Sequence, residues 1–232
     1  MKSTNREPQH YCLLKYPDFY AYQSSHYVNS QDQAYILAGK FLEKPVKKPV
    51  INSELCYEAH AFGGRYGRYN EFNVRKAIWQ SLLSGAKAGV TYGAHGLWGW
   101  YKEGKQFENE GFGGKPLSWR TALNLKGAWD ASFARWIFET FDLFDMEPVS
   151  AIMNETQEIR MSVSKASGKI VIYAPYNADI RVGMDLNGYE WTLVNLNERL
   201  YAKPQVQVEN GVTVFRMHDF NADALFIGIR QL

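Results

Sequence analysis

The run Pro49-Val50-Ile51-Asn52-Ser53-Glu54 is apolar behind a proline and polar at its end, the pattern of a buried strand that delivers a functional group at its C-terminal tip. A carboxylate so placed suits glycoside hydrolysis, in which one carboxyl group protonates the leaving oxygen and a second acts as nucleophile or activates water. Glu54 is the candidate catalytic residue, and a solvated or ion-paired strand end is the plainer role for it. Four residues on, beyond Tyr57, Glu58 could bond a sugar hydroxyl, position Glu54, or pair with Arg65 or Arg68. Two further segments end in similar groups, Gln23-Ser24-Ser25-His26 and Tyr92-Gly93-Ala94-His95. Their histidines could touch substrate, orient a carboxylate, or be satisfied within the fold. Trp98 and Trp100, followed by Tyr101, offer flat apolar faces to a sugar ring, in competition with a core role. The candidate substrate-binding set is therefore Gln23, His26, Tyr57, Glu58, Tyr92, His95, Trp98 and Trp100. No metal is expected, because His26, Glu54, Glu58 and His95 fall at no recognised ligand spacing. No cofactor is expected either: there is no P-loop, and Gly93 to Gly99 lacks the dinucleotide spacing.

These tips need a scaffold that gathers them on one face. Strand texture at residues 19–23, 49–54 and 88–93, with helical spacing over 31–42 and 70–87 between them, predicts right-handed parallel βαβ units. A glycine-rich loop over 103–116 follows, then a helical region opened by Ser118 as cap, and a longer helix over 127–144. From Pro148 the texture changes to alternating strands at 160–164, 169–173, 181–185, 189–195, 205–209, 212–217 and 224–229. Ser167-Gly168, Asn187-Gly188 and Asn210-Gly211 mark turns among them. The expected class is α/β plus all-β, with a βα domain over 1–147 and an antiparallel β-sandwich of about seven strands over 148–232.

Composition removes several function classes. A net charge of +2 arises from 26 basic and 24 acidic residues with no long run of either sign, which argues against a nucleic-acid partner. No stretch approaches 18 consecutive apolar residues, so no membrane span is expected, and the start MKSTNREPQH lacks the apolar core of a secretory signal. Cys12 and Cys56 are too few for a zinc set or a disulfide scaffold and are read as free thiols. Aromatic residues make up 15% of the chain, seven of them Trp and fifteen Tyr, enough to furnish both cores and sugar platforms.

Several blocks together resemble the apiosidase-like glycoside hydrolases. They are Gln23 to His26, Pro49 to Glu58, Gly89 to Trp98, Val74-Arg75-Lys76-Ala77 with Ser81 to Ala86, and Ser118-Trp119-Arg120 with Ala122-Leu123, spanning about residues 18 to 145. The resemblance implies the C-terminal part of a TIM (β/α)8 barrel followed by a small β-sandwich, and cleavage of glycosidic bonds in plant-type polysaccharides. It implies that the Asn52-Ser53-Glu54 strand is the barrel's seventh, that Glu54 is the nucleophile, and that the acid/base carboxylate comes from a fourth strand this chain does not contain. A secreted or periplasmic setting would follow from the same resemblance.

About three of eight barrel strands are then present, so the expected partners are a carbohydrate substrate and either the missing N-terminal half or a second copy of the chain. The isolated chain is expected to be inactive. A non-catalytic carbohydrate-binding or structural protein is the alternative, and a protein-interaction module built on the sandwich is a third.

Overall fold

The structure is a computed structural model that describes residues 18–62, 67–108 and 110–231; Cys12 and Arg65 lie outside them. Three strands, β1 (Tyr20–Gln23), β2 (Val50–Glu54) and β3 (Gly89–Val90), form a parallel sheet in the order β1-β2-β3. Helix α1 (Gln33–Leu42) joins the first two and α2 (Glu71–Leu82) the next two, as the alternating texture predicts. Tyr22 and Val50 are buried against Leu37, Ala38 and Phe41 of α1, and the Tyr22 hydroxyl donates to the Ala34 carbonyl at 2.8 Å. The strands therefore turn alternate side chains toward the helices and leave Ala21, Gln23 and Ser53 on the other face.

Two boundaries differ from the sequence expectation. Helix α2 starts as read, with Asn70 and Asn73 capping each other's backbone amides, but ends at Leu82 rather than near 87. The chain must turn there so that Ala88 can donate to the Val50 carbonyl at 2.9 Å and begin the next strand. That strand is two residues long instead of six, because residues beyond Val90 leave the ladder and a single bridge joins Glu58 to Ala94. The glycine-rich loop holds a short helix, α3 (Glu110–Gly113), that its composition does not announce. Ser118 caps α4 (Trp119–Ala122), accepting from the Thr121 amide, and α5 (Gly127–Phe141) ends where Asp142 adopts a left-handed conformation with φ 49°.

The remaining strands are β4 (Glu147–Pro148), β5 (Arg160–Ser164), β6 (Lys169–Ala174), β7 (Ile180–Val182), β8 (Tyr189–Asn195), β9 (Leu200–Ala202), β10 (Val206–Glu209), β11 (Val212–Phe215) and β12 (Ala224–Arg230). The short strands β4 and β9 are additions to the seven expected. They form a six-stranded antiparallel sheet in the order β4-β5-β6-β12-β8-β9 and a three-stranded one in the order β10-β11-β7. Ile170, Ile172, Leu193 and Phe226 of the larger sheet share a core with Ile180, Val182 and Phe215 of the smaller. The intervening residues Val171, Tyr173, Val194, Leu225 and Ile227 enter a second core with Trp79 and Ile78 of α2 and Ile137 of α5. The central strands β6 and β12 are thus covered on both faces, which is why Lys169-Ile170-Val171-Ile172-Tyr173-Ala174 reads as a continuous apolar run rather than an alternation.

One charged cluster pins the helices to the larger sheet. Arg75 of α2 donates to Asp223, immediately before β12, at 2.6 to 3.0 Å and to Asp130 of α5 at 3.0 Å, all three side chains being buried. The Tyr173 hydroxyl adds a bond to Asp223 at 3.2 Å. Among the described residues no helix is long and apolar enough to cross a membrane.

Candidate active site

Glu54 sits at the C-terminal tip of the central parallel strand. A bulge between Tyr22 and Gln23 lets two residues of β2, Ser53 and Glu54, face one of β1, so that Gln23 lies directly opposite Glu54. Its Nε2 donates to Glu54 Oε2 at 2.9 Å. On the other carboxylate oxygen, His26 Nε2 approaches Oε1 to 3.5 Å. The Tyr57 hydroxyl also bonds the carboxylate, and its pKa is pushed up to about 12 by burial first and by the Glu54 charge second. Glu54 keeps 30% of its side chain open to solvent, so it is braced by three polar side chains and still reachable.

Buried residues behind the tip fix its backbone. Asn52 Nδ2 donates to Ser24 Oγ and to Ser81 Oγ of α2, both at 3.0 Å, while the Glu54 amide donates to Asn52 Oδ1 at 3.3 Å. The Glu54 carbonyl accepts from the Ser24 amide at 2.9 Å. Three non-glycine residues in the tip loops, Ser25, Ala59 and Trp100, have φ of 81°, 66° and 49°. Such left-handed conformations are costly for L-residues and persist where the surrounding structure over-determines them, as at functional sites.

His26 leads inward to two more imidazoles. Its ring lies 4.6 Å from that of His60, and His60 lies 4.8 Å from His95, both pairs edge to face; Tyr57 flanks His26 at 4.4 Å. Burial lowers the pKa of all three, that of His26 to about 4, and in His26 the neighbouring imidazoles add to the effect. Among the described residues no group of three His, Cys, Asp or Glu side chains is arranged to hold a metal ion.

The other residues singled out from the sequence separate into two environments. Glu58 is 3% exposed and points away from Glu54: its Oε2 accepts from the Tyr92 hydroxyl at 2.7 Å and from the Gly127 amide at 2.8 Å, holding the N-terminus of α5. Burial raises its pKa, against the lowering effect of those two donors. Tyr92 is therefore engaged with Glu58, not with the Glu54 tip. Nor does Glu58 pair with Arg68, whose guanidinium donates to the Ala59 and Lys115 carbonyls at 2.6 and 2.8 Å. His95 is fully buried, its Nε2 bonded to the Gly114 carbonyl at 2.8 Å. Trp98 and Trp100, by contrast, are 47% and 63% exposed, which removes the core role for both.

His60 was not legible as a site residue. It comes two positions after Glu58 with no motif around it, and only the folded chain brings it between His26 and His95. Gly93 gives a similar lesson, since a Cβ there would lie 2.3 Å from the Tyr57 ring. Cavities of about 330 and 380 Å³ exist elsewhere, one lined by Arg68, Tyr101 and Thr121 and the other by Arg75, Trp129 and Arg199. The Glu54 tip lies on an open face outside both.

Comparison with known proteins bears on this arrangement. The model of the apiosidase-like catalytic domain matches residues 7–145, more than half of the sequence. The chain belongs to the apiosidase-like family. A solved structure described as a glycoside hydrolase superposes on the apiosidase-like chain with a TM-score of 0.77 at 20% identity, covering 92% of it and 53% of that structure. A glycoside hydrolase family 5 crystal structure from Bacteroides vulgatus gives 0.76 at 19% identity, covering 92% and 50%. At such identities the likeness establishes a shared fold. The apiosidase-like chain spans about half the length of these two structures. No curated protein sequence matches it.

Proposed function

We propose that this chain carries the nucleophile side of a glycoside hydrolase active site, with Glu54 as nucleophile and a plant-type polysaccharide as substrate. In this reading residues 1–147 are the last three βα units of a (β/α)8 barrel and residues 148–232 a β-sandwich. The acid/base carboxylate then comes from a fourth strand in an N-terminal half outside this sequence. The observation that carries the reading is the bracing of Glu54 by Gln23, His26 and Tyr57 at an open strand tip. A nucleophile must be fixed and charged yet reachable, and donors on both oxygens supply the first two while solvent access supplies the third.

The test is Glu54→Gln in the chain combined with its N-terminal half, assayed on an aryl glycoside. Loss of roughly three or more orders of magnitude in kcat is expected, with the fold retained. Activity within threefold of the unaltered protein removes Glu54 as nucleophile. The chain alone is expected to show no turnover, and activity of the isolated chain would remove the need for a second half.

A non-catalytic sugar-binding role is favoured by one observation, the exposure of Trp98 and Trp100. Sugar affinity without turnover by the combined halves would select it.

A further inference from the structure

We propose that His60, which does not touch Glu54, is a positioning residue that with His95 locks His26 as a neutral Nε2–H donor to the Glu54 carboxylate. The proposal rests on the reading of Glu54 as nucleophile and deepens it. Its basis is a hydrogen-bond inventory along the three rings. His95 donates from Nε2 to the Gly114 carbonyl, which leaves its Nδ1 as a bare lone pair, buried and without a partner. His60 donates from Nδ1 to the Ala61 carbonyl at 2.7 Å, which leaves Nε2 bare. Nδ1 of His26 is buried without a partner, while its Nε2 faces a carboxylate oxygen at 3.5 Å. A lone pair cannot face a carboxylate favourably, so the proton of His26 belongs on Nε2.

A second proton on His26 or His95 would have to sit on a buried nitrogen with no acceptor. It would also place a cation within 5 Å of another imidazole. The groups that bear on His26 are Glu54 at the tip of β2, Tyr57 and His60 in the loop behind it, and Tyr69, whose hydroxyl donates to the His26 carbonyl at 2.7 Å. His95 follows β3, and Arg68 bears on His60 and His95, where its charge opposes a second cation. Burial lowers the His26 pKa most, the His60 and His95 imidazoles add to that, and together they outweigh the Ser25 backbone carbonyl, which favours the charged ring.

The consequence is chemical. An imidazolium beside Glu54 would neutralise the attacking oxygen, whereas a neutral donor orients the carboxylate and leaves its charge available. His60 supplies a wall beside this ring, its centroid 4.6 Å from that of His26 and 4.8 Å from that of His95. Gly113 marks how closely the row is fitted: a Cβ there would lie 2.7 Å from His60 Nε2 and 2.8 Å from His95 Cε1.

The experiment is side-chain nitrogen correlation spectroscopy on the full chain carrying ¹⁵N-histidine, followed from pH 7.5 to 4, with His26→Gln used to assign the His26 signals. The expected result is one neutral Nε2–H tautomer for His26 that begins to titrate only below about pH 5. In His60→Phe, which keeps a ring in place, the His26 tautomers should mix and the midpoint rise by about one unit or more toward the ordinary imidazole value. An Nδ1–H tautomer in the unaltered chain overturns the proposal, as does a His26 unchanged by His60→Phe. Should that variant fail to fold, Gly113→Ala presses on the same two rings, and an unchanged His26 there is equally fatal. A failure here with an inactive Glu54→Gln enzyme leaves the nucleophile reading standing. The locked tautomer together with an active Glu54→Gln enzyme sinks that reading alone.

Discussion

Two polar clusters in this molecule answer the cost of burial in opposite ways. At the junction of helices and larger sheet, Arg75 is buried fully charged, Asp223 and Asp130 accept from it, and the Tyr173 hydroxyl donates to Asp223 in turn. At the strand tips, burial holds three imidazoles toward their neutral form, while the Glu54 carboxylate is kept at the rim. A buried ion needs complete pairing because desolvation is expensive, and pairing commits the N–H groups and lone pairs that a substrate could otherwise use. The junction is consequently suited to holding elements together. The tip is suited to presenting a braced but solvent-reachable carboxylate to something else.

Breaking the junction should have the largest effect on stability. Asp223→Ala leaves Arg75 with half its partners in a dry site, and a loss of about 3–5 kcal/mol in chemical denaturation is expected. An effect under about 1 kcal/mol would mean that water or Asp130 alone satisfies Arg75.

Acid should act on the tip instead. The folded-state value of His26 lies near 4 against an ordinary 6.5, so between those values the unfolded chain binds a proton that the native chain refuses. Stability is then unaffected by this residue above about pH 6.5 and falls as the pH drops toward 4, by about 3 kcal/mol from His26 alone. His60 and His95 shift in the same direction and steepen the fall. Unfolding midpoints that stay flat from pH 6.5 to 4 would contradict the burial of neutral imidazoles.

Changes at the rim should cost least. Glu54→Gln, part-exposed and replaced by an isostere, is expected to shift stability by no more than about 1 kcal/mol, in contrast to Asp223→Ala. Smaller still, Trp98→Ala or Trp100→Ala should move the melting temperature hardly at all, within about 0.5 kcal/mol, while raising KM in the assembled enzyme. A loss of about 3 kcal/mol in either Trp variant would reassign that residue to packing.

The contrast also separates what could be read from the sequence from what could not. Glu54 at a strand tip was legible because Pro49 and the apolar run behind it are local signals, and strands such as β5 and β8 were legible because Ser167-Gly168 and Asn187-Gly188 announce turns. Glu58 looked like a partner for Glu54 at a spacing of four, yet its carboxylate is claimed by Tyr92 and by Gly127, 69 positions away. His60 and Asp223 carry no local signal, since their partners lie at long range: the Arg75–Asp223 bond joins residues 148 positions apart. The apolar run of β6 is continuous, but which elements cover its second face is not in that run: Ile78 and Trp79 of α2 and Ile137 of α5 are brought there only by tertiary packing.

Strand β12 has a bearing on how the chain is made. It lies between β6 and β8, pairs with both, feeds Leu225 and Ile227 into one core and Phe226 into the other, and follows the aspartate that receives Arg75. During synthesis β6 and β8 emerge before it and can pair with β5 and β9, but the strand that joins these two halves of the sheet is still missing. The full sheet, both completed cores and the Arg75–Asp223 pair all wait for the segment around residues 223–230. Until then the nascent chain exposes apolar surface on several elements at once, the condition in which chaperones bind and in which a pause in translation over this segment would be most damaging.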